Sequence, residues 1–379
     1  MKENITIGFV TAEDPEDKKS WSGIYYRMKA SLENEFHNVV PLGPVKLSVF
    51  QSFKMTLTLK ITSLLHLLIY FKRYNELHNH LRSKYHGRFF EKRLAQEQID
   101  VIFAPTASVE IAHLETDIPI CYFSDTSFAQ INEYYELFSR LSSRSVRISN
   151  EIEQLAIDNS TTQVYPSDWA ANFAKSYYDA KQVFIAKMGA NIDAEPDEKE
   201  LVKQFDSTIH ILFVGVDWQR KGGDLVFDTI MQLDQKGVDF HLTVCGCKPP
   251  KKHPKMTVIP FLDKNKSEDN LTFLKLLHNS HLFFMPTRAE CYGIVFCEAN
   301  AYGLPVITTD TGGTTSVVED GINGFALPFS AKAEDYAARI EYLTEHRDVL
   351  EKMSKTARQK YAEELNWNHW GKRMKEILS

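Results

Sequence analysis

Residues 281–328 read HLFFMPTRAECYGIVFCEANAYGLPVITTDTGGTTSVVEDGINGFALP, and the fold is read from this stretch. The apolar run His281–Pro286 has strand composition and ends in a short loop. A helix begins near Tyr292, Gly-Leu-Pro follows it, and a second apolar strand, Val306–Thr309, runs into Gly312-Gly313. Neither strand alternates polar with apolar, as expected of strands buried on both faces of a parallel sheet. Glu290 falls in the loop and Glu298 on the helix, eight positions on. Their surroundings differ, so they are not a side-by-side acid/base pair. A carboxylate at a strand's carboxyl end can grip sugar hydroxyls, and one on the next helix can grip ribose hydroxyls. Between them, the backbone N–H groups near Gly293 and Ile294 open a helix N-terminus, which suits a phosphate. Gly312-Gly313 would let backbone approach a ligand closely at the same sheet edge.

Upstream, residues 214–226 read VGVDWQRKGGDLV. They follow the strand Ile209–Val216, and Gly222-Gly223 opens the next helix. Arg220 and Lys221 place two cations near that helix start, a composition suited to a diphosphate. The Walker pattern Gly-x4-Gly-Lys-Ser/Thr is absent.

The same grammar extends along all 379 residues. Further strand candidates are Ile5–Ala12, Val101–Pro105, Ile118–Phe123, Gln163–Tyr165, Val183–Ala186, Phe240–Cys245 and Thr257–Phe261. Strand–helix alternation over about 180 residues, twice, predicts two doubly wound α/β domains. The charged stretch Asn191–Gln204 is the linker candidate. Helices are expected from about Lys332 to Leu378. Hydrophobic residues make up 43% and charged residues 25%, so neither disorder nor a fibre fits. A net charge of -6 excludes a chain that is basic as a whole, so no nucleic-acid partner is expected. The five cysteines, Cys121, Cys245, Cys247, Cys291 and Cys297, form neither a disulfide framework nor a zinc spacing.

One segment breaks the average. Residues 44–93 carry ten Lys/Arg and two acids, a net of +8, leaving -14 for the remainder. Within it Met55–Phe71 (MTLTLKITSLLHLLIYF) is nearly all apolar, interrupted by Lys60 and His66. Seventeen residues with an internal Lys fall short of the ~20 of a spanning helix. Two readings fit: an amphipathic helix on an anionic membrane surface, or a core helix followed by a solvated basic one.

Taken together, ECYGIVFCE, AYGLPVITTDTGG and the Lys-Gly after a Val-Gly strand resemble the retaining, GT-B-fold glycosyltransferases of family 4. The resemblance covers most of the second half. It continues more faintly through SWSGIYY (20–26), VYPSDWAANFAKSYY, KMGANID and the terminal NWNHWGKRMKEIL. It implies two Rossmann-like domains facing a central cleft. Residues 1–190, completed by a returning helix at 365–379, would form the acceptor-side domain, and 191–364 the nucleotide-sugar domain.

By position, the resemblance implies that Glu298 binds the ribose hydroxyls and Glu290 those of the transferred sugar. Arg220 and Lys221 would neutralise the leaving diphosphate, and amides around Gly23, Gly293 and Ile294 would add hydrogen bonds. The base would lie against the loop following the strand that ends at Phe261, with UDP slightly favoured over GDP. Two positions depart from the family: Val216 follows Gly215 where an Arg is common, and CYFSDTSF (121–128) stands where a His is common. Asp125 is then the nearest functional group.

No Asp-x-Asp occurs, so no metal cofactor is expected, and leaving-group charge falls to cations and helix termini. The expected reaction is same-face transfer of a hexose from a nucleotide diphosphate sugar to a glycan or lipid-linked acceptor. Glu290 would then position the sugar. A nucleotide-sugar 2-epimerase, or a non-catalytic nucleotide-binding protein at a membrane, are the alternatives. A strand that starts a few residues from the N-terminus predicts a cytoplasmic chain, peripheral at the inner membrane face through residues 44–93.

Overall fold

The computed structural model describes residues 3–193, 195–196, 201, 203 and 207–379. The chain divides into two compact units, Met1–Ala186 with Gly371–Ser379, and Lys187–Trp370. Much of the Asn191–Gln204 stretch, expected as a linker, lies outside the described residues.

The first unit is a six-stranded, all-parallel sheet in the order β2-β1-β3-β4-β5-β6. Its strands are β1 (Glu3–Phe9), β2 (Phe36–Pro41), β3 (Val101–Pro105), β4 (Ile120–Phe123), β5 (Thr162–Tyr165) and β6 (Val183–Ile185). Helices α1 (Ile24–Glu35), α2 (Val49–Tyr70), α3 (His80–Leu94), α4 (Ser108–Ile111), α5 (Phe128–Ile131), α6 (Ser143–Asn159) and α7 (Asp168–Tyr177) connect them. Both β3 and β4 are buried at every position, which is why they read as unbroken apolar runs. Their side chains join Phe90, Ile152 and Ala170 in one core. Polar caps start the helices: Asn79 accepts from Arg82 N–H at 3.0 Å and Ser167 from Ala170 N–H at 3.2 Å.

The second sheet runs β12-β11-β10-β7-β8-β9, again all parallel. It comprises β7 (Ile209–Val214), β8 (Phe240–Cys245), β9 (Met256–Ile259), β10 (Leu282–Met285), β11 (Val306–Thr309) and β12 (Gly324–Leu327). The helices are α8 (Gly223–Gln235), α9 (Ser267–Asn279), α10 (Ile294–Ala301), α11 (Ala333–Glu345), α12 (Arg347–Glu364) and α13 (Trp367–Leu378). Strand order therefore reverses between β7 and β10, as in the six-stranded dinucleotide-binding sheet. In the first sheet it reverses between β1 and β3. The last nine residues belong to the first unit, where Arg373 Nε donates to Ile185 O at 3.2 Å and Lys375 faces Glu35.

Two strands were not expected from sequence, β2 and β12, and both are sheet edges. Several ends also move. Strand β1 closes at Phe9 rather than Ala12 and β7 at Val214 rather than Val216, while α10 begins at Ile294 rather than near Tyr292. The core-helix reading of Met55–Phe71 is corrected. Helix α2 buries Met55, Leu59 and His66, and most of its other apolar side chains face outward.

Candidate functional site

In the second unit, the loops after β7 and β10 leave adjacent parallel strands at their carboxyl ends, where the strand order reverses. Such a switch point opens a crevice in which open α/β sheets bind ligands. The two loops are fastened to each other by one main-chain bond and two side-chain donors. Arg288 N–H and the Thr287 hydroxyl both donate to Arg220 O, at 2.8 and 3.2 Å. In return, Arg220 Nη1 donates to Ala289 O at 2.9 Å. Gly222, at φ +78°, is the backbone position that makes this approach possible. A Cβ there would sit 2.0 Å from Pro286 O, and the positive φ already disfavours any side chain.

The fastening brings the sequence candidates together. Lys221 Nζ donates to Glu290 Oε2, and Arg220 Nη1 lies 3.9 Å from the same oxygen. All three side chains are largely buried, Arg220 the least so at 28% exposure. Arg220 also faces Asp217, three residues before it. The Lys221 stem runs against Gly215, where a Cβ would come within 2.8 Å of Lys221 Cγ. Gly293, at φ +92°, precedes α10, so the first amides of that helix, including Ile294, open at the same sheet edge as Glu290. The arrangement offers two cations and a helix N-terminus to an anion, with a carboxylate beside them.

Glu298, four residues into the same helix and 2% exposed, binds Lys264 Nζ at 2.6 Å. Lys264 in turn lies 4.2 Å from the centroid of the Phe273 ring. Nothing in the sequence marked Lys264. It sits in the segment after β9, 34 positions from its partner, and only the fold joins them. Phe261, in that same segment, is 60% exposed and offers a flat apolar face there.

In the first unit, Gly23 (φ +85°) ends a turn whose preceding residues, Trp21 and Ser22, are also left-handed at φ 43° and 58°. Trp21 and Ser22, two non-glycine residues in succession, store strain of the sort found at binding sites. Trp21 packs on Tyr25 and on Phe123, the last residue of β4, which places the turn beside the loop holding Asp125. Tyr25 donates to or accepts from Thr106 at the end of β3, and burial raises its phenol well above the ordinary value. Asp125 is half-buried after β4. Thus Gly23 and Asp125 share one edge of the first sheet, while Arg220, Lys221, Glu290, Gly293, Ile294 and Glu298 share one region of the second unit. Among the described residues, no cluster of three or more His, Cys, Asp or Glu is arranged to hold a metal ion.

Residues 195–360, nearly the whole of the second unit, match the family model for glycosyl transferases group 1. Over these residues the chain is similar to the group 1 glycosyltransferases. It is 34% identical over 238 residues to a D-inositol 3-phosphate glycosyltransferase from Gordonia bronchialis, covering 57% of this chain and 52% of that one. To a putative colanic acid biosynthesis glycosyltransferase, WcaL, from Salmonella typhimurium it is 22% identical, covering 55% and 54%. These matches span about half the length of each relative. Whole-chain likeness appears among solved structures. A sucrose-phosphate synthase from Thermosynechococcus elongatus has a TM-score of 0.66 at 14% identity, covering 99% of this chain and 98% of that one. WaaG, a glycosyltransferase involved in lipopolysaccharide biosynthesis, gives 0.64 at 17% identity, covering 99% and 100%. The Anabaena protein HepE, in complex with UDP and glucose, gives 0.65 at 15%, covering 99% of each. At these identities the likeness is one of fold, and the fold is GT-B.

Proposed function

We propose that this protein is a retaining glycosyltransferase that moves a hexose from a nucleotide diphosphate sugar to a glycan or lipid-linked acceptor, in the assembly of a surface polysaccharide or glycoconjugate. The observation that carries the proposal is the convergence of Arg220, Lys221 and Glu290 from two loops at the switch point of the second sheet. In this reading the two cations and the N-terminus of α10 receive the diphosphate, Glu290 holds hydroxyls of the sugar, and Glu298 those of the ribose. Phe261 lies against the base. Gly23 and Asp125, at one edge of the first sheet, are the first unit's candidates for substrate contact.

The chemistry follows from the charges. The bond between the anomeric carbon and the phosphate oxygen breaks as the acceptor oxygen bonds the same carbon on the same face. The acceptor's proton passes to the departing diphosphate. Fixed cations that receive the developing charge lower this barrier, because they need no reorganisation at the moment of reaction. Arg220 and Lys221 do here what a divalent ion does in metal-bridged transferases, so turnover is expected to persist in chelator. UDP is favoured as the carrier. The presence of UDP and glucose in HepE, a protein of the same fold, is in keeping with this.

Thermal shift against UDP, GDP and ADP and their common sugars tests the donor site through linkage. Stabilisation by one family of diphosphates, followed by transfer with an unchanged anomeric configuration in the product's proton spectrum, is the expected result. No stabilisation by any of them would overturn the proposal, and an inverted anomer would overturn its mechanism.

A further inference from the structure

Helix α2 plays no part in the proposed donor site, and its two faces are set in opposition. At about 100° per residue, Met55, Leu59, Thr62 and His66 fall on one stripe. Met55, Leu59 and His66 are the buried positions of the helix, and His66 Nδ1 is bonded to Ser142 Oγ, the cap of α6, at 2.6 Å. Phe50, Phe53, Leu57, Ile61, Leu64 and Leu68 recur at three- and four-residue steps. Their stripe is centred about 190° away from the first. Each is between 48 and 74% exposed, and Phe71, which caps the helix, is 86% exposed. Lys54 and Lys60 lie about 60° to either side of this outward stripe. Lys46 precedes the helix and Lys72 and Arg73 follow it, and all five cations are exposed. The helix contains no Asp or Glu.

We propose that α2 lies in the plane of an anionic lipid bilayer, with the Phe50–Leu68 stripe among the acyl chains and the flanking cations at the headgroups. Resting on the glycosyltransferase reading above, the acceptor is then lipid-linked and reaches the first unit from that surface. At 22 residues and a mean hydropathy of 1.2, α2 is long and apolar enough to span. Spanning would strip Met55, Leu59 and His66 from the domain that buries them, and would draw Lys54 and Lys60 into hydrocarbon. Lying flat keeps the buried stripe in place, lets Lys54 extend to the headgroups and keeps the ion pair of Lys60 with Glu76 outside the hydrocarbon. A second copy is a poorer occupant, because pairing two such faces would bring lysines together with no acid on either helix. An anionic surface complements both the apolar stripe and its rim.

The test is flotation of the full chain with vesicles of phosphatidylcholine, with and without about a third phosphatidylglycerol. The wild type is expected to float with the anionic vesicles. Combining Phe53→Ser, Leu57→Gln and Leu64→Gln should lower the partition coefficient at least ~100-fold with the circular dichroism unchanged, since these side chains contact water in the free protein. Combining Lys54→Gln, Lys72→Gln and Arg73→Gln should lower it about fivefold per cation and weaken its salt dependence. A wild type that does not float overturns the proposal. So does a dimer in solution that the apolar variant dissociates without any vesicle binding. Nucleotide binding separates the two readings: flotation without it leaves docking standing and sinks the transferase. Transfer to a water-soluble acceptor by a chain that never floats does the reverse.

Discussion

The ammonium of Lys221 and the carboxylate of Glu290, 69 positions apart, form an ion pair whose side chains are only 12% and 14% exposed. Each therefore depends on the other. Removing Lys221 leaves a largely buried Glu290 carboxylate that Arg220 faces at 3.9 Å.

Lys221→Ala should weaken UDP binding at least tenfold by calorimetry, because it deletes the better buried of two cations. It should also destabilise the second unit by about 1–3 kcal/mol, since Glu290 loses its nearest partner. Glu290→Gln keeps the shape and a hydrogen-bond acceptor and frees the ammonium. Its expected signature is reduced turnover with UDP affinity unchanged or improved. Equal losses of affinity in both variants would mean that Glu290 serves the nucleotide rather than the sugar.

Glu298→Gln separates the two carboxylates. Its partner is Lys264, on the segment that carries Phe261, so its loss should fall on KM for the donor with kcat largely kept. A Lys264→Met variant should reproduce the change in KM if the ion pair holds that segment in place. An unchanged KM in both would remove Glu298 and its segment from the donor site.

Two glycines should behave differently. In Gly215→Ala the new methyl meets Cγ and Cβ of Lys221, which must shift against its ion pair with Glu290, so stability should fall by about 1–2 kcal/mol and diphosphate affinity with it. In Gly222→Ala the methyl meets the fixed Pro286 carbonyl at a left-handed φ, and a loss of more than about 2 kcal/mol is expected. Denaturant midpoints and calorimetry on both variants check the contrast.

Glu153 supplies a pH dependence. Burial raises its carboxyl from 4.5 to about 7, although hydrogen bonds from Tyr122 and Ser108 oppose the shift. A carboxyl raised on folding stabilises fully below pH 4.5, and that contribution fades as pH climbs through 7. The gap corresponds to about 3 kcal/mol. Glu153→Gln should match the wild type near pH 4.5 and exceed it at pH 8, read as the difference in unfolding midpoint. Parallel pH curves for the two proteins would contradict this.

How much of this was legible in sequence depends on what each residue's partner was. Strands such as Val101–Pro105 and Val306–Thr309 are buried on both faces, and burial writes itself directly into composition. The missed strands are edges. Exposed His37 and Asn38 interrupt β2, and Gly324 opens β12 because a Cβ there would meet Val306 O at 2.0 Å. Arg220, Lys221 and Glu290 stood out because each follows a strong strand, but their pairing depends on β7 and β10 being neighbours. Lys264 had no such marker. The composition of α2 would suit a core as well as an exposed face, so Met55–Phe71 left both readings open until the buried stripe was seen.

The fastening of the loops after β7 and β10 rests on one main-chain bond, Arg288 N–H to Arg220 O, on two side-chain donors, the Thr287 hydroxyl and Arg220 Nη1, and on the close approach that Gly222 allows. Arg220 therefore serves the frame and the chemistry at once. Side chains at positions such as Val216 or Gln219 can be exchanged without loosening the junction, provided Arg220, Thr287 and the glycines stay. That gives protein engineers a place to retune sugar or base preference by mutagenesis, one surface position at a time, on a scaffold that does not drift as they do so.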